Sequence, residues 1–391
     1  MSRDYYAVKI DHASLTTLRK YLDEMMYSLM DFRMSFHVEM SSLGFPTIQS
    51  LRAALRQLDA AHCVLFRLFR IGESVDDESI RTVLPTNVLE ALVQSELLIQ
   101  DEANEWRTPS LLIVPAEGLY LLVGIPPIYS TASRACNTGF DVSSSIVARS
   151  LPVSLVGLRV LDICSGSGIQ ALLCARRGAD SVVGLELNEE AVFTARANAV
   201  LNHLDDRVEF RQSDKLAALD ASERFDFVVC NTPSAPMISQ TGEPSCLEQI
   251  GNIVLLDLLE QLPRHLQPGA RGVVSAWRSF GFESRTYQLT AIASQLANEG
   301  FSTAAYIDQA PNTIESLMRG LQTEIERRPG MDRAAARVMA NRLREQLQQP
   351  EKPVDGAYNQ LLFIEHGQNE AALSVYPLFS ASRAQQNPAT I

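Results

Sequence analysis

The chain has 391 residues, 46% of them hydrophobic and 20% charged, with a formal net charge of -12 and a pI near 5.1. This is globular composition with length for two or three domains, and its acidity disfavours general binding to a phosphate backbone. The six cysteines, at 63, 136, 164, 174, 230 and 246, make no CxxC pair. The histidines show no ligand spacing and no apolar run reaches membrane-spanning length, so the expectation is a reduced, cytoplasmic protein without metal, nucleic acid or membrane.

Apolar positions three and four apart predict a helix around residues 14–32. LRAALRQLDAAHCVLFRLFRIG, from position 51, predicts one long helix or two short ones. VLPTNVLEALVQSELLIQ predicts a helix running into a strand, and RTPSLLIVPAEGLYLLVG a hairpin turning at Ala116–Gly118. Helices followed by a small hairpin suit a winged-helix-like module over 1–118. The acids Glu73, Asp76, Asp77 and Glu78 argue against a nucleic-acid-reading helix there. Residues 119–150, with Pro126 and Pro127, read as a lid or linker.

From 151 to 380 strands and helices alternate. RVLDIC, DSVVGLEL, RVEFRQSD, FDFVVCN and ARGVVSAW are apolar strands. IQALLCARR, NEEAVFTARANAVLN and GNIVLLDLLEQLPRHL are helices, the last ending near Pro268-Gly269. FSTAAYID and a final NQLLFIEHG complete the strands, with a charged helical insertion at 311–348 broken near Pro329-Gly330. Residues 381–391 form an aperiodic tail. Apolar, β-branched strands alternating with helices predict an α/β domain whose parallel sheet is covered on both faces.

Chemistry concentrates where VLDICSGSGIQ (160–170) is followed by SVVGLE (181–186). A strand feeds a tight glycine turn, and a second strand closes on an acid about twenty residues later. That layout holds an adenosine-bearing cofactor at the carboxyl edge of a parallel sheet. Gly166 and Gly168 supply the turn, whose backbone N–H groups can meet an anion. Asp162 can receive an amine, Glu186 both hydroxyls of a ribose, and Asp214 an adenine amino group, with Ser213 beside it and Leu187 able to cover the ring. Ala171 stands where a dinucleotide site wants its third glycine, and Asp162 would repel a pyrophosphate, so a cofactor bearing an amino acid is favoured.

On these motifs residues 139–240 resemble the class I S-adenosylmethionine-dependent methyltransferases, in the small-domain group that includes protein-glutamine and some RNA guanine N-methyltransferases. The family's first motif lands on Asp162, Cys164, Gly166 and Gly168, with Cys164 replacing the first glycine. The resemblance implies a Rossmann-like methyltransferase sheet behind an N-terminal helical, winged-helix-like domain, with S-adenosylmethionine as methyl donor or as the substrate itself. It also implies that Phe225–Pro233 leads into the catalytic loop. There the group's Asn-Pro-Pro-aromatic tetrad reads Asn231-Thr232-Pro233-Ser234, which keeps the asparagine and loses the aromatic face. Pro236 adds rigidity only. Asn231, Asn137 and Tyr129 are the candidate catalytic residues, and Asn231 also a cofactor contact. Phe140, Asp141, Trp277 and Arg278 are candidates to line the pocket, an aromatic face near the sulfonium gaining about 1–2 kcal/mol of cation–π attraction.

The atypical loop leaves several functions open. The first is methylation of a small metabolite or carrier-bound intermediate, in secondary metabolism. The second is ring closure of S-adenosylmethionine to azetidine-2-carboxylate with release of methylthioadenosine, because such synthases share a methyltransferase-like fold. The third is a non-catalytic sensor or interaction module. A homodimer is a further possibility.

Overall fold

The computed structural model describes residues 11–27, 46–126, 139–233, 252–282, 295–308, 354–367 and 373–378, with isolated positions in 313–341. Two compact units result. One comprises Met1–Gly157, Ser165–Asp214 and Arg327–Pro329, the other Leu158–Cys164, Lys215–Glu326 and Gly330–Ile391. This partition differs from the expected boundaries at 118 and 150, and the reason lies in the core of the first unit.

That unit begins with α1 (His12–Glu24), capped by the Asp11 carboxylate accepting from the Ser14 N–H at 3.1 Å. It continues through α2 (Ile48–Ala54), α3 (Ala60–Leu65) and a wide helical turn over Phe66–Ile71. Phe66, Leu68, Phe69 and Ile71 are all buried, more than one stripe of a regular helix can face inward, and the wider turn accommodates them. Gly72, with φ +78°, ends the element. After β1 (Val75–Asp76) comes α4 (Asp77–Val83), which the sequence reading did not anticipate. The acids noted there build it: Asp76 accepts from the Ser79 N–H at 2.7 Å, and Asp77 accepts from the Trp106 indole N–H at 2.7 Å.

Next come α5 (Thr86–Gln94), β2 (Ile99–Gln100) and β3 (Glu105–Arg107), and the three short strands pair in the order β1-β3-β2. β4 (Leu111–Ala116) and β5 (Leu119–Gly124) form the expected hairpin. Glu117 and Gly118 both have positive φ, +50° and +76°, as a two-residue turn of the tight mirror-image type requires. The hairpin's second strand starts at Leu119, so a boundary at 118 would cut it.

α6 (Val142–Ser150), α7 (Ile169–Arg176), β7 (Ser181–Glu186), α8 (Glu189–Leu201) and β8 (Val208–Gln212) belong to the same unit, with β7 and β8 parallel. Ala197, Val200 and Leu201 of α8 join one buried cluster with Leu15, Leu18, Phe66 and Trp106. The N-terminal helices therefore pack against α8, the helix that follows β7, inside one compact unit.

α8 also covers the open edge of β5. Asn198 Oδ1 accepts from the Leu122 N–H at 2.7 Å, and its Nδ2 donates to the Leu122 carbonyl at 3.0 Å. One turn later Asn202 repeats the pattern on Tyr120, at 3.0 and 2.7 Å. Two side-chain amides thus stand in for a third strand.

Glu73 sits between Arg52 (2.7 Å) and Arg67 (3.0 Å). Burial raises its pKa, but the hydrogen bonds and charges of the two arginines outweigh it and hold the carboxyl below its ordinary value. A depressed folded pKa gives stability that is present above the unfolded glutamate value and lost as pH falls through the folded one. Glu73→Gln should therefore lower stability at pH 7 and flatten the acid limb of a urea-denaturation series. An unchanged acid limb would count against the pairing.

The second unit is built on one sheet in the order β13-β11-β12-β10-β9-β6. Its strands are β6 (Arg159–Ile163), β9 (Phe225–Asn231), β10 (Leu266–Phe282), β11 (Phe301–Asp308), β12 (Val354–His366) and β13 (Leu373–Leu378), with α9 (Asn252–Gln261) before β10. β6 and β10 run parallel to β9, while β12 runs antiparallel to both β10 and β11. Two sequence expectations change here. The helix stops at Gln261, followed by a short tight turn over Leu262–His265, and β10 begins before Pro268-Gly269. Pairing to β9 runs from Leu266 to Phe225, then shifts and resumes at Arg271 opposite Phe227, so Pro268 and Gly269 (φ +79°) bulge the strand without ending it. NQLLFIEHG is not the last strand either, since β13 follows and pairs with β11. Most of 311–348 and all of 381–391 lie outside the described residues.

Candidate cofactor and acceptor site

Of the candidate residues, Gly166, Gly168, Glu186, Leu187, Ser213 and Asp214 lie in the first unit, and Asp162, Cys164 and Asn231 in the second.

In the first unit the turn runs Ser165-Gly166-Ser167-Gly168 into α7. The Ser165 N–H donates to the Leu185 carbonyl at 3.0 Å, and the Gly168 N–H to the Ser165 carbonyl at 2.8 Å. Gly166 and Gly168 have φ of +53° and +84°. Gly168 is the N-cap of α7 and no side chain caps that end. A Cβ on Gly168 would lie 2.5 Å from Phe210 Cζ, and one on Gly184 only 2.4 Å from Phe210 Cδ1. The ring of Phe210 thus packs against both glycines, one in the turn and one in β7.

Glu186 closes β7 as expected. Its Oε2 accepts from the Gly166 N–H at 2.9 Å and its Oε1 from the Asn188 N–H at 2.9 Å. The carboxylate therefore clasps the glycine turn on one oxygen and the start of α8 on the other. Each oxygen has room for one further donor. Ser213 is buried and its N–H donates to the Glu186 carbonyl at 2.8 Å, whereas Asp214 is exposed. Leu187 is 61% exposed. Asn198 donates from Nδ2 to the Ser167 carbonyl at 2.9 Å.

In the second unit Asp162 is 1% exposed in β6. Cys164 takes φ +60°, a left-handed conformation at the family's first-glycine position. Its thiol pairs with that of Cys230, which the hydrogen bond to Cys164, burial, and the charges of Cys164 and Asp162 together hold well above the usual thiol range. A thiol so placed stays protonated and unreactive at neutral pH.

Asn231 ends β9 directly opposite Ser275 of β10. Ser275 Oγ donates to Asn231 Oδ1 at 3.0 Å and accepts from the Thr232 N–H at 3.0 Å, while Thr232 Oγ1 donates to the Ser275 carbonyl at 2.6 Å. Ser275 is fully buried and Thr232 nearly so. A proline at 232 would lack the N–H that Ser275 accepts, so the departure from the tetrad is matched by a serine on the next strand. Ser275→Ala should cost about 1–3 kcal/mol in urea denaturation by orphaning those groups. A cost near zero would show that the loop finds other partners.

Among the remaining sequence candidates, Asp141 is the N-cap of α6, accepting from the Ser144 N–H at 2.9 Å, and this accounts for its place in the chain without a pocket role. Phe140 is half-buried just before it. Tyr129, Asn137, Ser234 and Pro236 lie outside the described residues, as do the side chains of Trp277 and Arg278. Sequence reasoning missed Asn198, Phe210 and Ser275. Asn198 and Asn202, four apart and so on one face of the helix, were the available signal for the first.

Residues 127–271 match the methyltransferase small domain family. A ribosomal protein L11 methyltransferase of Neisseria meningitidis serogroup C is 31% identical over 230 residues, 58% of this chain and 69% of that protein. The chain belongs to the small-domain methyltransferases. A ribosomal protein L11 methyltransferase of Aquifex aeolicus is 38% identical over 107 residues, 27% of this chain and 41% of that protein. A Methanocaldococcus jannaschii protein, provisionally named as a protein N5-glutamine methyltransferase, is 28% identical over 174 residues, 43% of this chain and 80% of that one. None of these three relatives is named for secondary metabolism or azetidine formation.

The cofactor of this methyltransferase is S-adenosylmethionine. Its own residues fit that group: Ser165 Oγ is buried with no hydrogen-bond partner among the described residues, and the Glu186 oxygens keep acceptor capacity. Among the described residues the methyltransferase has no cluster of three potential metal ligands and no helix long and apolar enough to cross a membrane.

Proposed function

We propose that this enzyme methylates a nitrogen of a protein substrate, with the cofactor held by Asp162, Cys164, Gly166, Gly168, Glu186, Leu187, Ser213, Asp214 and Asn231. When bound, S-adenosylmethionine supplies an electrophilic methyl group on a sulfonium. Gly166 lets the backbone approach the cofactor closely because it carries no Cβ, while Gly168 makes room for Phe210 behind the turn. Glu186 offers one acceptor position on each oxygen to the ribose hydroxyls. Asp162, buried at the end of its strand, balances the amino group of the methionine tail. Ser213 and Asp214 meet the adenine edge, and Leu187 covers one ring face. Tyr129 and Asn137 are assigned to the sulfonium end on sequence position alone.

The observation that carries the acceptor reading is the buried Ser275 hydroxyl bonded to Asn231. The tetrad's asparagine is held in a single orientation at the end of β9, where an incoming amine or amide can be aligned. A protein acceptor is supported by the names of the relatives, which refer to a ribosomal protein and to protein glutamine. Nothing comparable supports a small-metabolite or carrier-bound acceptor, or closure of an azetidine ring.

Incubation with labelled S-adenosylmethionine tests this directly, in three arms: no acceptor, ribosomal protein L11, and a protein extract freed of small molecules. S-adenosylhomocysteine is expected only with a protein present, with the label on a nitrogen of that protein by mass spectrometry. Methylthioadenosine without any acceptor, or turnover only with a small-molecule pool, would overturn the reading.

A further inference from the structure

Asn198 and Asn202 lie one helical turn apart and make the same bidentate contact with β5, but their further partners differ, Asn202 Oδ1 also accepting from an Arg19 Nη1–H at 3.1 Å. The second hydrogen of the Asn198 amide reaches the Ser167 carbonyl, between the two glycines of the turn, at 2.9 Å. Asn202 spends its corresponding hydrogen on the Asn198 carbonyl of its own helix at 2.8 Å. Asn198 is fully buried and, with both amide hydrogens and its oxygen engaged, makes three bonds at 2.7, 3.0 and 2.9 Å.

We infer that Asn198 is a positioning residue for the cofactor turn and couples it to the N-terminal hairpin. A planar amide with one N–H on Leu122 and the other on Ser167 cannot rotate to serve one without releasing the other. Burial leaves no water to replace a lost partner. The peptide it holds joins Ser167 to Gly168, so its orientation bears on the N–H groups the turn presents. Glu186 grips the same turn through the Gly166 N–H, and the two contacts hold it from either side of Ser167. A ligand that orders the turn must then tighten Leu122, and a displacement of β5 must loosen the turn. By linkage the two effects are equal in free energy. The N-terminal module is thereby part of the cofactor-binding apparatus. This inference rests on the cofactor reading above.

The test compares Asn198→Ala with Asn202→Ala in the 391-residue chain, using S-adenosylmethionine in titration calorimetry and urea denaturation in parallel. Both variants lose the strand contact and should lose similar stability. Only Asn198→Ala is expected to raise the Kd for S-adenosylmethionine, by about tenfold, with Asn202→Ala close to wild type. Equal changes in Kd, or none in Asn198→Ala, would overturn the inference.

If either variant fails to fold, amide hydrogen exchange in the wild type decides. Adding S-adenosylmethionine should slow exchange of the Leu122 N–H, held by Asn198, well beyond that of the Tyr120 N–H, held by Asn202. Equal protection would sink the coupling. Wild-type protein that does not bind S-adenosylmethionine would remove the cofactor reading itself, and this inference with it.

Discussion

Glu186→Ala is expected to weaken S-adenosylmethionine binding by roughly 1–3 kcal/mol, about 5- to 150-fold in Kd. Two losses combine. The ribose loses an acceptor for its hydroxyl pair, and the N–H groups of Gly166 and Asn188 lose the carboxylate that accepts from both. Glu186→Gln separates them. It keeps the shape and one carbonyl oxygen, so one of the two backbone N–H groups keeps its partner, while the other faces an NH₂. Stability should therefore fall less than in the alanine variant, whereas cofactor affinity should fall comparably, because the paired acceptors for a diol are gone. Calorimetry and urea denaturation on the same samples read both. A Kd unchanged in Glu186→Ala would remove this residue from the site.

Gly168→Ala and Gly184→Ala carry the second large expectation, since both place a methyl group against Phe210. At Gly184 the added carbon would meet Cδ1 at 2.4 Å and Cε1 at 2.5 Å, with no backbone penalty. At Gly168 it would meet Cζ at 2.5 Å and also impose φ +84° on an L side chain. Overpacking costs about 1–3 kcal/mol, and a left-handed backbone adds about 1–2 kcal/mol. Gly168→Ala should thus be the more destabilising of the two, and it alone should abolish cofactor binding in a protein that still folds. Phe210→Leu in the same chain discriminates the causes. It should restore most of the stability of Gly184→Ala and only part of that of Gly168→Ala. Full rescue of both would show that backbone conformation contributes little at the turn.

Much of this arrangement was legible in the sequence because its cues are local. Glu117-Gly118 between two apolar runs specifies a tight hairpin. A strand, two glycines and an acid twenty residues later specify a turn and its closing carboxylate. What escaped depends on partners distant in the chain. Ser275 matters only because β10 lies beside β9 and pairs it with Asn231. Phe210 reads as one more apolar strand residue until two glycines are found against its ring. Asn198 reads as helix filler until Leu122 and Ser167 converge on it. In the sequence the acids at 76 and 77 argue only against nucleic-acid reading, because α4 is too short to show periodicity. Pro268-Gly269 has the composition of a helix stop, yet the surrounding ladder absorbs it as a bulge.

The amide pair on α8 has a consequence for partner recognition. Polypeptides often bind by lending a strand to an unfilled sheet margin. Along β5 the N–H and C=O groups of Tyr120 and Leu122 are already saturated from within the same molecule. A substrate polypeptide cannot zip onto that side of the hairpin through those groups, so recognition along that edge must run through side chains.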